Sequence, residues 1–361
     1  MQPIGEKTGR IADLCRALAG GGRPIRIMEV CGTHTVAIAR GGLRKLLPER
    51  LALISGPGCP VCVTDGSYVD QSVRLAKGQC GARRPIIATY GDMVRVPGAE
   101  GSLAEARAAG AEVVVVASAD SAVDLAKKDP SREVVFLGVG FETTTPGTAL
   151  AVMRAKAEGL RNFSVLTAHK LIMPAMHALL RSGEVAIDGF LCPGHVSVIL
   201  GYGVYEELAR DYRRPCVVAG FEAGGILDGI AEIVRQLVEG KPSACTVYPA
   251  VTRGGNLAAQ RLMDEVFTPV DAPWRALGVI PGSGLALREE LAGFDAKKKL
   301  SVPDLVTKDD PRCLCGLVIT GRCRPRDCPL FGARCTPRDP VGPCMVSSEG
   351  ACSAAYKYER T

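Results

Sequence analysis

Aromatic side chains are scarce: Phe, Trp and Tyr make up 5 % of the 361 residues, and there is one Trp. Stacking on nucleic-acid bases is therefore poorly supplied. The formal charge of +6 falls short of a polyanion binder, so no nucleic-acid partner is expected. No apolar run is long enough to cross a bilayer, and the opening MQPIGEKTGR lacks the apolar core of a secretion signal. No membrane association is expected, and the cytoplasm is the expected compartment. None of the Gly runs reads as a Walker loop or a full dinucleotide fingerprint, which removes support for a nucleotide site.

What is present in quantity is apolar residue (47 %), Gly (42) and Cys (15), with an ordinary 23 % of charged residues. Such a chain can hold two ordinary domains and a smaller third. In a reducing cytosol fifteen cysteines argue for metal ligation or thiol chemistry rather than a disulfide framework.

From residue 25 a unit recurs: a short apolar run, a Gly-rich or polar turn, then a helix-like stretch. The runs are 25–30, 51–54, 85–89, 112–117, 134–139, 163–167, 186–191 and 215–219. Their Val, Ile and Leu content without polar alternation fits strands buried on both faces. The alternation predicts α/β architecture with parallel sheets. Eight units suggest two sheets of about four strands, divided near Asp129–Pro130; a closed eight-stranded barrel is the alternative. The expected division is a first α/β domain over 25–128, a second over 129–284, and a small Cys-rich iron–sulfur domain formed by 1–24 with 285–361. A helix around Ile11–Leu18 is expected to pack on that Cys-rich segment.

Reactive residues follow the runs: Cys31 and His34, Cys59 and Cys62, Asp92, Glu142, His169, Cys192 and His195, and Glu222. In α/β sheets ligands collect at the carboxyl ends of strands, so these residues are expected to face one or two clefts. In MEVCGTHT, Cys31 stands where a helix can begin, and backbone N–H groups there favour thiolate. His34 could ligate metal, move a proton or cap the turn. In GPGCPVCV, Cys59 and Cys62 form a C-x-x-C pair able to supply two electrons as a dithiol. Half of a zinc site is the competing reading, but the sequence has no second C-x-x-C. In GFETTTPGTA, Glu142 precedes threonines that can cap a helix.

Seven cysteines follow residue 312: Cys313, Cys315, Cys323, Cys328, Cys335, Cys344 and Cys352. Interrupted by Gly and Pro, they cannot build a conventional core, and a metal centre would supply the missing cohesion. Wide spacing and the absence of histidine suit an iron–sulfur cluster better than zinc. Arg322, Arg324, Arg326, Arg334 and Arg338 lie among them and would favour the negative charge of such a cluster.

Together, MEVCGTH, GPGCPVCV, GFETTTP, PGHVSVILG, GFE and CPLFGARCTPRDPVGPCMVSSEGAC resemble the HypD family of [NiFe]-hydrogenase maturation factors, from Glu29 to Tyr358. The resemblance implies a scaffold for the Fe(CN)2CO group, working with a small HypC-like chaperone. A HypE-like donor, carrying a thiocyanate made with HypF, would supply cyanide. It also implies two α/β domains and a third bearing a [4Fe–4S] cluster. By motif, Cys31 would hold the transient Fe(CN)2CO iron with a chaperone cysteine, and Cys59 and Cys62 would be the redox pair. Of the tail cysteines, Cys328, Cys335, Cys344 and Cys352 are the expected cluster ligands, with Cys313, Cys315 and Cys323 as possible substitutes. His34 and Glu142 are candidates for proton handling. A free-standing iron–sulfur thiol–disulfide oxidoreductase and a structural zinc protein are the competing functions.

Overall fold

All eight apolar runs contain a strand in the computed structural model, which describes residues 3–18, 22–80 and 84–359. They are β1 (Ile25–Glu29), β2 (Leu51–Ser55), β3 (Ile86–Thr89), β4 (Val113–Val115), β5 (Val134–Gly140), β6 (Phe163–His169), β7 (Gly189–Cys192) and β8 (Cys216–Val218). Three further strands follow: β9 (Ala244–Thr246), β10 (Phe267–Trp274) and β11 (Gly278–Leu287).

The strands form two open parallel sheets and one antiparallel pair, so the closed barrel does not occur. The larger sheet has the order β2-β1-β7-β8-β9 and the smaller β4-β3-β5-β6; β10 pairs with β11. All ladders of the two larger sheets are parallel, with Ile27 beside both Leu53 and Gly189. Each β5 residue is buried, as expected for a strand covered on both faces.

The expected division at 128/129 cuts through the smaller sheet, because β3 pairs with β4 on one side and with β5 on the other. The unit β3–β6 is instead inserted between β2 and β7, and the chain returns to finish the first sheet. Local strand–helix alternation carries no information on this return, since a crossover of any length yields the same pattern.

The amino-terminal helix Ile4–Ala17 also departs from expectation. It packs on the helix Ala223–Glu239 rather than on the Cys-rich tail. Ile11 and Cys15 share a core with Ile226, Leu227 and Ile230, and Lys7 forms an ion pair with Asp228. Nor do residues from 285 on form a unit of their own. Leu285 and Leu287 belong to the core of the smaller sheet. Cys315, Cys328, Cys335, Cys344 and Cys352 are continuous with the apolar cluster of Met28, Val61, Cys62 and Phe190. The tail is a run of short helices, among them Cys315–Ile319, Pro343–Val346 and Ala351–Tyr358, packed against the helices Gly32–Arg40 and Pro60–Val63. No helix among the described residues is long and apolar enough to cross a membrane.

Candidate thiol and metal site

In each parallel sheet the second strand in sequence lies on one side of the first and the third on the other. The carboxyl ends of β1 and β7, and of β3 and β5, are therefore the points where the winding reverses, the usual place for a ligand in such sheets. Cys31 follows β1, Asp92 follows β3 and Glu142 follows β5.

Cys31 caps the helix Gly32–Arg40 in extended conformation, φ −149° and ψ 121°. It is buried. Burial pushes its thiol up to about 12, while the backbone N–H of His34 pulls it down and the Glu349 carboxylate pushes further up. The helix start alone thus does not offset burial, and the thiol form is favoured. His34 donates from Nε2 to the carbonyls of Ala219 (3.2 Å) and Gly220 (3.0 Å), since carbonyl oxygen only accepts. Its Nδ1 is buried without a partner, and burial lowers the ring to about 4. His34 is therefore neutral and presents a lone pair.

The C-x-x-C loop lies directly on Cys31. A Cβ on Gly58 would overlap the Cys31 backbone, and the Gly58 carbonyl accepts from Gly32 N–H at 3.1 Å. This close approach is the physical requirement behind the Gly56-Pro57-Gly58 sequence. Cys59 caps the short helix Pro60–Val63, and Cys59 and Cys62 are joined as a disulfide with Cα atoms 5.2 Å apart. That helix packs against the tail helices Cys315–Ile319 and Pro343–Val346.

In the tail, Cys313, Cys315, Cys328, Cys335, Cys344 and Cys352 line one pocket; Cys323 lies outside that lining. Hydrogen bonds with Cys315 and Cys352, with burial, hold the Cys344 thiol high. Cys315 is held low, by Cys344 first and by the charge of Arg275. Val341 N–H donates to Cys335 Sγ at 3.3 Å. No His, Cys, Asp or Glu group of three or more among the described residues is arranged to hold a metal ion. The donor set is nonetheless all sulfur, without carboxylate or imidazole in the lining, and that chemistry fits an iron–sulfur cluster.

The loop between Cys344 and Cys352 touches both sheets. Glu349 accepts from Thr33 Oγ1 at 2.6 Å, beside Cys31. Asp92 Oδ2 accepts from Ser347 Oγ (2.9 Å), Ser348 N–H (3.0 Å) and Ser348 Oγ (3.1 Å). Neither serine nor Glu349 was legible as a site residue, because their partners lie more than 250 positions away.

The remaining motif residues are placed elsewhere. Glu142 Oε1 accepts from Ile172 N–H at 2.9 Å, Oε2 is buried without a partner, and burial raises the acid to about 7. His169 shares a hydrogen bond of 3.0 Å with Thr148, and burial lowers its ring to about 4. His195 is exposed and stacks on Phe221 at 4.1 Å; Glu222 only begins the helix Ala223–Glu239. Cys192 is buried and its thiol raised by burial and by Cys216. Arg275, which sequence reasoning passed over, is buried beside the C-x-x-C helix: its N–H donates to Val63 O (2.9 Å) and its Nε to Thr64 O (3.1 Å). Its only sequence signal is a lone cation in the apolar stretch APWRALGVI.

Fold and site together define an α/β protein in which thiol-bearing loops from both ends of the sequence meet at the rim of a parallel sheet. A family model described as "HypD: Hydrogenase formation hypA family" matches residues 6–359. The chain is 45 % identical to the hydrogenase maturation factor HypD of Escherichia coli, over 94 % of this chain and 90 % of that protein. It is 45 % identical to that of Cupriavidus necator (99 % and 95 % covered) and 46 % to that of Azotobacter vinelandii (94 % and 90 %). The chain belongs to the HypD family of hydrogenase maturation factors.

Proposed function

We propose that this chain is the scaffold on which the Fe(CN)2CO group of [NiFe] hydrogenase is assembled, in the cytoplasm. It works in complex with a HypC-like small chaperone and receives cyanide from a HypE-like donor. The observation that carries this reading is the seating of Gly58 on the Cys31 backbone. It makes the C-x-x-C pair and Cys31 parts of one surface.

Cys31, with a thiolate from the chaperone, grips the iron cargo; soft sulfur suits a low-valent, cyanide- and CO-bound iron. Cyanide arriving as a thiocyanate needs two electrons to leave. The reduced Cys59/Cys62 dithiol and R–S–C≡N give the Cys59–Cys62 disulfide, R–SH and HCN, and HCN loses its proton as cyanide binds iron. In this reading a Cys59–Cys62 disulfide is the spent state of the pair, and the 5.2 Å between their Cα atoms supports it. His34 Nδ1 is a buried, unpartnered proton acceptor three positions from Cys31, and Glu142 is a buried acid after β5.

Cys328, Cys335, Cys344 and Cys352 would hold a [4Fe–4S] cluster, with Cys313 and Cys315 from the same lining, and Cys323 from outside it, as substitutes. Bound there, the cluster supplies electrons one at a time. Of the lining thiols, Cys315 and Cys344 sit on helices that pack against Pro60–Val63, which supports a short route to the dithiol.

Anaerobic co-purification with the partner tests this reading by metal analysis and infrared spectroscopy. Expected are about four irons per chain, one more in the complex, and absorption at about 400 nm. Cys31→Ala keeps that absorption but loses the cyanide and carbonyl infrared bands. Bands that persist in Cys31→Ala refute the role of Cys31, and zinc in place of iron refutes the cluster. Turnover of small disulfides without a partner would instead favour the free-standing oxidoreductase, which the Cys59–Cys62 disulfide alone also fits.

A further inference from the structure

We infer that Arg275 is the buried cation that raises the reduction potential of the tail cluster, by donating its free Nη2–H to sulfur at the Cys313/Cys315 wall. This rests on the reading that the tail holds a [4Fe–4S] cluster.

Arg275 follows β10 and is 5 % exposed. Its main chain and Nε are fixed to the carbonyls of Val63 and Thr64, at the end of the C-x-x-C helix. Nη1 is paired with Asp309. Nη2 is buried and has no partner. An unsatisfied buried charged donor is costly, so the position calls for an acceptor.

A cavity of about 200 Å³ beside it is lined by Arg275, Asp309, Asp310, Cys313, Cys315 and Gly342, among others. Its carboxylates are already engaged: Asp309 with Arg275 Nη1, and Asp310 with Arg312. The acceptors left along that wall are the thiols of Cys313 and Cys315, the Thr307 hydroxyl and backbone carbonyls, and of these the sulfurs are the ones shared with the Cys-lined pocket. Lys308, the other cation of the lining, is exposed and therefore screened by solvent.

Cys313 and Cys315 also line the pocket of the proposed ligands, so a donor and positive charge at this wall stabilise the reduced cluster, which carries one more negative charge, over the oxidised form. Placed between the cluster wall and the C-x-x-C helix, Arg275 acts as a positioning residue that favours an electron on this side of the disulfide.

The test is a dithionite titration of the full-length chain with its cluster, followed by electron paramagnetic resonance. Arg275→Gln should lower the midpoint by at least a tenfold change in the equilibrium, about 59 mV for one electron. Asp309→Asn, which frees the guanidinium from its counter-ion, should shift it the other way by less. Lys308→Ala should leave it unchanged, and Arg275→Lys should fall between wild type and Arg275→Gln. Coincident midpoints for wild type and Arg275→Gln overturn the inference and leave the cluster reading standing. Loss of the cluster from both Arg275→Gln and Arg275→Lys, with wild type loaded, makes the residue a structural pin and overturns it as well. A wild type without iron or absorption at about 400 nm overturns the cluster reading, and the inference with it.

Discussion

A methyl group added at Gly58 meets the amide and Cα of Cys31, both fixed in a helix cap. Gly58→Ala should cost about 1–3 kcal/mol of stability, as overpacked sites do. Urea unfolding of the purified chain measures it, and wild-type stability in the variant would show that the loop does not sit on Cys31. Glu142 gives a prediction with a definite sign. Its acid is raised from 4.5 to about 7 by burial, so the fold favours the protonated form. The stability this contributes is complete below about 4.5 and is lost as pH rises through about 7. Glu142→Gln should gain roughly 3 kcal/mol on wild type between pH 4.5 and pH 8. Unfolding midpoints at the two pH values read it, and an unchanged difference would show that the carboxyl is not held neutral. Cys31, Cys59 and Cys62 were legible at this scale because their motifs are local. The neutral state of His34 and the raised acid of Glu142 were not, because both follow from burial by elements far along the chain. Arg275 was invisible for the same reason: it meets Thr64 across 211 positions.

At the scale of elements, the loop Ser347–Glu349 is a latch between the two parallel sheets. Asp92→Ala removes the acceptor of three of its hydrogen bonds, each to a charged group worth about 1.5–3 kcal/mol. Amide exchange over 347–352 should quicken tenfold or more, with β5 unchanged. Equal exchange in both regions would mean that Asp92 supports the whole fold instead. Truncating the amino-terminal helix's anchor, Ile11→Ala, should cost about 2–5 kcal/mol, since Ile11 is fully buried against the helix Ala223–Glu239. The eight strands of apolar runs were readable because strands covered on both faces leave unbroken Val, Ile and Leu. β10 and β11 were not. Two prolines in FTPVDAPW and three glycines in GVIPGSGLAL weaken the strand signal, and their pairing with each other supplies what propensity does not.

For the whole molecule, the insertion of β3–β6 decides what can fold alone. A fragment 25–128 would hold β1 and β2 of one sheet with β3 and β4 of the other, each lacking its central partners β7 or β5. It should show no cooperative thermal transition by circular dichroism, and a sharp one would contradict the topology. The order of elements was legible in the sequence, but their closure was not, because a chain that leaves a sheet and returns reads the same as one that stays.

The latch also orders events during synthesis. Thr33 and Glu349 are 316 positions apart, yet they bond beside Cys31. A ribosome that has released the first thiol must add all of those residues before the surroundings of that thiol are complete. Until then Cys31 lacks its neighbour from the tail, so the pocket around it is closed only after nearly the whole chain has been made.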